Sequence, residues 1–209
     1  MKNPILLLSF LFSLTLLHGQ TKSHKLAISA GFGFQQYCGD LGNGFYDFSS
    51  TEYGVANLGI DYYLTRSLDI KLLGTLGDLG YCSDLEEGEG GVVEDVLNSR
   101  MTMGSISLKF KFANGVILPE NAKLAPYLYA GFGVNKITDI MKMGCIVPGT
   151  YTSLNGGAGF KYHISQLFSI GYNLNIGQFS TDRIDFVSVG RNDMYMQNSL
   201  VLEVNIFGL

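Results

Sequence analysis

A chain of 209 residues is long enough for one domain of ordinary size and too short for two sizeable ones. Charged residues make up 15% of it, against roughly 25% in a soluble protein, while Gly (27), Phe (14) and Tyr (12) are abundant, a poor composition for a surface wetted all round. The net charge of −4 argues against a nucleic-acid partner.

The chain opens with Lys2, an almost unbroken apolar run from Ile5 to Leu17, and then His18-Gly19-Gln20. A basic start, an apolar stretch too short to span a bilayer and a small residue before the cut are the outline of a secretory signal peptide. Residues 1–19 are read as that signal, with cleavage after Gly19, and residues 20–209 as one β-barrel domain. No later stretch is long and apolar enough to cross a membrane as a helix. For an exported chain of this composition, the closed β-barrel is the remaining spanning structure.

Period-2 alternation then recurs through nearly the whole mature sequence, the signature of strands with unlike faces. "KLAISAGFGFQ" sets Leu26, Ile28, Phe32 and Phe34 against Ala27, Ser29, Gly31 and Gly33. "YGVANLGIDYYL" sets Leu58, Ile60, Tyr62 and Leu64 against Asn57, Gly59 and Asp61, and "SLDIKLLGTL" sets Leu68, Ile70 and Leu72 against Asp69 and Lys71. "GSISLKFKF" sets Ile106, Leu108, Phe110 and Phe112 against Ser105, Ser107, Lys109 and Lys111. In "PYLYAGFGV", Leu128, Phe132 and Val134 oppose Gly131 and Gly133, with Tyr127 and Tyr129 breaking the size rule. "SLNGGAGFKY" sets Leu154, Ala158, Phe160 and Tyr162 against Ser153, Asn155, Gly157, Gly159 and Lys161. "QLFSIGYNLNIGQ" sets Phe168, Ile170, Tyr172, Leu174 and Ile176 against Ser169, Gly171, Asn173 and Asn175; "SLVLEVNIF" sets Leu200, Leu202, Val204 and Ile206 against Ser199, Glu203 and Asn205. That predicts an all-β fold: an eight-stranded antiparallel up-and-down transmembrane barrel, with strands of about the length a tilted strand needs to cross hydrocarbon.

Short or medium links follow the second, fourth and sixth strands, and longer polar stretches follow the first, third, fifth and seventh. Outer-membrane barrels have this asymmetry, with short periplasmic turns and long outer loops. "GIDYYLTRSLDIKL" (59–72) and "GFKYHISQLFSIGY" (159–172) match in character position for position, which pairs the second strand with the third and the sixth with the seventh. The large apolar face is expected to meet lipid. A barrel of eight strands has room inside for small side chains and little more, and the Gly, Ser and Asn face carries too little charge for a water-facing exterior. Tyr62, Phe112, Tyr162 and Phe168, outward and next to the short turns, mark an expected interfacial girdle.

With "GFGFQQYCGDLGNGF" (31–45) and "GGAGFKYHISQLFSIGYNL" (156–174) as its most characteristic segments, the chain resembles the eight-stranded outer-membrane barrels similar to the barrel half of outer membrane protein A, in the broad porin-like superfamily. The resemblance covers residues 25–209 and implies location in the cell outer membrane. Several such proteins carry a peptidoglycan-binding domain after the barrel, whereas this sequence stops two residues past Phe207. It ends Phe207-Gly208-Leu209, with Phe207 on the lumen side by parity, where members often end on an outward aromatic.

The inward set holds Asp61, Asp69, Lys71, Lys109, Lys111, Lys161 and Glu203, mostly toward the short turns. In so narrow a tube these residues are expected to pair and plug it, with Asp61 opposite Lys71, because directly opposed like charges are unfavourable. The mature chain has two histidines, His24 and His163, both expected at the solvated periplasmic rim, so no His is available for nucleophilic catalysis at the outer face. Asp84, Glu86, Glu87, Glu89, Glu94 and Asp95 crowd the second long loop but lack an EF-hand spacing and are expected to be solvated rather than metal-binding. The in-strand glycines are no dinucleotide fingerprint, and no cofactor is expected. Cys38, Cys82 and Cys145 map to the outer end of the barrel, and in an oxidising compartment two of the three can pair. The apolar loop "IMKMGCIVPG" (140–149) either contacts a partner or lipid headgroups, or folds back on the rim. These features predict a non-enzymatic barrel with a structural or interaction role through its outer loops. Its expected partners are outer-membrane lipid and lipopolysaccharide and envelope proteins. The rivals are a narrow small-solute channel and a secreted soluble barrel holding a hydrophobic ligand.

Overall fold

The computed structural model describes residues 25–38, 53–81, 97–139, 147–182, 184, 190 and 192–206. Eight strands follow one another: β1 (Leu26–Cys38), β2 (Tyr53–Tyr63), β3 (Leu68–Tyr81), β4 (Leu97–Lys111), β5 (Leu124–Asp139), β6 (Gly149–His163), β7 (Phe168–Phe179) and β8 (Met194–Ile206). Each pairs antiparallel with its sequence neighbours, and β8 returns to β1, closing the barrel.

The stagger of the closure fixes the shape. Traced through hydrogen-bonded neighbours, Ile28 leads to Ile60, Leu72, Ile106, Phe132, Leu154, Gln178 and Met194, and Met194 meets β1 again at Cys38, 10 residues past the start. With strands about 4.8 Å apart, that stagger tilts them by roughly 40° and closes a backbone cylinder of radius about 8 Å.

The two faces sort as the alternation predicts. Ile170 and Leu202 are 46% and 50% exposed on the outer wall, whereas Asn173 is 4% exposed inside. Phe32, Leu58, Leu128, Phe132 and Leu154 continue the apolar exterior around the barrel, and Tyr62, Tyr162 and Phe168 lie outward next to the short turns. Contiguous apolar surface on this scale has no place in water and suits hydrocarbon. A soluble barrel with a hydrophobic ligand inside needs the opposite arrangement.

The two short turns are built alike, as the echo between residues 59–72 and 159–172 anticipates. Leu64 and Thr65 N–H groups donate to the Leu68 carbonyl, and Ile164 and Ser165 donate to that of Phe168. In each turn a hydroxyl accepts from the backbone ahead of it: Thr65 Oγ1 from Leu68 N at 3.1 Å, and Ser165 Oγ from Phe168 N at 3.0 Å. The β4–β5 link turns at Gly115 (φ 79°), where Asn114 Oδ1 accepts from the Val116 and Ile117 N–H groups.

At the long-loop end the strands run further than the apolar alternation reaches. β3 continues from Leu76 to Tyr81, β4 starts at Leu97 rather than Gly104, β5 runs past Val134 to Asp139, and β8 starts at Met194 rather than Ser199. Above the apolar belt the outward positions turn polar, as with the Asp78–Arg100 pair at 3.0 Å, while inward ones such as Leu79 and Met101 turn apolar. The polarity pattern thus inverts, and the hydrogen-bond ladder carries on through it.

Candidate functional site

All seven inward charges expected from the sequence converge on the short-turn end of the lumen. Lys109 Nζ lies 2.5 Å from Asp61 Oδ2 and 3.3 Å from Asp69 Oδ2. Lys111 Nζ lies 2.5 Å from Asp69 Oδ1. Lys161 Nζ is 3.3 Å from Asp61 Oδ2 and also bridges to Glu203. The result is one run of alternating sign, Lys111–Asp69–Lys109–Asp61–Lys161–Glu203, which crosses the lumen from β4 through β3 and β2 to β6 and β8. Asp69 and Lys109 are almost wholly buried within it.

Lys71 stands apart from that run. The register sets it directly opposite Asp61, as expected. Its ammonium, however, lies over the rings of Tyr127 and Tyr129, 5.7 and 5.3 Å from their centroids, and Asp61 is held by Lys109 and Lys161 instead. Lys109 and Lys161 also approach the Tyr127 ring, at 5.3 and 5.9 Å, so one aromatic face serves three cations.

Tyr127 and Tyr129 break the size rule because β6 makes room for them. They pair across the strands with Gly159 and Gly157, and a Cβ at either glycine would come within 2.4 Å of the tyrosine oxygen. Their hydroxyls then enter a layer of amides: Tyr127 donates to Asn173 Oδ1 at 3.1 Å, and Asn173 Nδ2 donates to Tyr129 Oη at 3.1 Å. Above them Asn175 donates to Gln197 (3.0 Å), and Gln197 to Gln35 (2.6 Å).

The long-loop end is apolar inside. Tyr37, Leu79, Met101, Met103, Ile137, Phe179 and Tyr195 cluster there, and Ile184, from the β7–β8 connection, is buried among them. Asp193 anchors that connection, accepting from Tyr37 Oη at 2.5 Å and from the Ile184 N–H at 2.9 Å. Sequence reasoning missed this cluster because it ended β3 too early and began β4 too late. Continuing the parity of Lys71 and Lys109 would have put Leu79 and Met101 inside.

No protein-family model matches the sequence, and no curated protein matches it. The backbone is similar to that of neisserial surface protein A (TM-score 0.59, 12% identity, covering 87% of this chain and 97% of that one). It is also similar to a major outer membrane protein of Thermus thermophilus (0.53, 14%, 87% and 99%). A third likeness is to Ail, the attachment invasion locus protein of Yersinia pestis, solved with the heparin analogue sucrose octasulfate (0.51, 15%, 87% and 98%). The chain is an eight-stranded barrel of the outer-membrane type. At these identities the likeness is one of fold.

Other candidate residues fall as follows. His163 is 5% exposed, not a solvated rim residue: it shares the inward parity of Lys161, and its Nδ1 lies 2.8 Å from Ser169 Oγ. Cys38 ends β1 with a free thiol. Cys82, Cys145, His24, Phe207, the signal segment 1–19, the acidic loop and most of the apolar loop lie outside the described residues. Among the described residues, no three His, Cys, Asp or Glu side chains group closely enough to hold a metal ion.

Proposed function

We propose that this outer-membrane barrel is non-enzymatic, that its lumen is stoppered by its own side chains, and that it works as a structural or interaction element through its outer loops toward lipid, lipopolysaccharide or envelope proteins. The observation that carries the reading is the alternating run of six charges, four of them buried, across a cylinder about 8 Å in radius. A conducting path would need a hydrated row of unpaired groups. Here six of the charges pair with one another, hydrogen bonds join Tyr127, Asn173 and Tyr129, and Asn175, Gln197 and Gln35, and the apolar cluster that includes Ile184 stands above them. The non-enzymatic part is supported by His163, which is buried and engaged with Ser169 at the short-turn end, far from any outer-leaflet substrate.

Planar-bilayer recording tests the stopper. The wild-type barrel is expected to give no well-defined open level, and Asp61→Ala or Lys109→Ala to give intermittent openings as the run is broken. A stable open channel in the wild type would defeat the stopper and establish the small-solute channel.

A further inference from the structure

We propose that the periplasmic half of the lumen binds one small monovalent anion, of halide type, beside Lys71. The proposal rests on the reading of the lumen as closed and poor in water.

Charge balance carries the argument. The run Lys111–Asp69–Lys109–Asp61–Lys161–Glu203 holds three ammonium groups and three carboxylates and is neutral in itself. Lys71 adds a fourth ammonium on the same level, 5% exposed, and forms no salt bridge with any described carboxylate. The charged groups that face it, Asp61, Glu203, Lys109 and Lys161, already belong to the run. Tyr127 and Tyr129 offer it ring faces, which attract a cation without cancelling its charge. A buried ammonium with no counter-charge of its own is costly by several kcal/mol, a cost relieved either by loss of its proton or by a bound anion.

The geometry supplies the place. A cavity of about 10 Å³ is lined by Ser29, Lys71, Tyr127, Lys161, Ser169 and Glu203 among others. It has room for about one water-sized body, so sulfate and phosphate are too large, and a halide, somewhat wider than water, enters with a small yielding of the side chains around it. The Lys71 ammonium and the Ser29 hydroxyl supply donors there, and the carboxylate on its wall, Glu203, is matched by Lys161. A water in this cavity would satisfy hydrogen bonds but leave the excess charge. A halide does both.

Crystals of the refolded barrel grown with sodium bromide in place of chloride provide the test, read by bromine anomalous scattering. The expected result is one peak within hydrogen-bond reach of Lys71 Nζ, absent from Lys71→Met and weakened in Ser29→Ala. No peak beside a well-ordered Lys71 overturns the proposal, as does a peak that persists in Lys71→Met, which would mark an adventitious ion only. If Lys71→Met fails to fold, the wild-type and Ser29→Ala maps still decide it. An open conductance in the wild type together with a bromide peak would sink the stopper and keep the site, whereas a silent barrel without a peak would do the reverse.

Discussion

Lys109 shows how strongly a single side chain can be committed in this lumen. It bridges Asp61 and Asp69, two carboxylates on different strands, and is 1% exposed. Lys109→Met removes the cation between the two acids and leaves the run one positive charge short, with Asp61 still on Lys161 and Asp69 still on Lys111, and breaking a buried pair in this way costs about 3–5 kcal/mol. Arg66 pairs with Glu120 at 3.4 Å, but both are well exposed, so Arg66→Ala is expected to cost under about 1 kcal/mol. Urea unfolding in lipid vesicles, followed by loss of the heat-modifiable gel band, should rank the two variants in that order; equal midpoints would mean that the buried run contributes no stability. All seven charged residues were legible in the sequence from parity alone. Their partners were not: Asp61 and Lys109 sit on β2 and β4, which are not neighbours in the sheet, and only the lumen brings them together.

At the scale of strands and hairpins, the glycines do unlike things. On the inner wall Gly159 gives its space to Tyr127, and an added Cβ would also lie 2.5 Å from the Tyr172 carbonyl oxygen. Gly104, on the outer wall of β4, has nothing within 4 Å of where a Cβ would stand. Gly159→Val should therefore sharply reduce the folded, fast-migrating band on refolding, while Gly104→Ala refolds like the wild type. Similar yields from the two would show that the tyrosine–glycine pairing does not hold β5 to β6. The eight strands and their hairpins were legible because a two-residue period survives wherever lipid lies on one side. The upper ends of β3, β4, β5 and β8 were not, because the apolar set changes faces there and leaves no consistent period to follow.

For the whole molecule, the decisive quantity is where the large apolar face points. Leu58 is 69% exposed, two outward positions above the Tyr62 girdle and so close to the middle of the expected hydrocarbon. Leu58→Arg is expected to cost about 2–4 kcal/mol in unfolding from lipid vesicles, the cost typical of a cation facing lipid near the midplane. A cost near zero would remove the bilayer from the outer wall. By itself the sequence determined the strand count, the sorting of faces and the set of lumen charges, since each follows from local alternation that solvent and sheet geometry impose on every strand separately. Only the tertiary structure decided that closure is staggered by 10 residues, that three lysines share one tyrosine ring, that Lys71 is left outside the ion run, and that Ile184 folds into the outer mouth. Those are relations among residues on strands that do not adjoin in sequence, and a closed cylinder about 8 Å in radius forces them together only once its last strand has met its first.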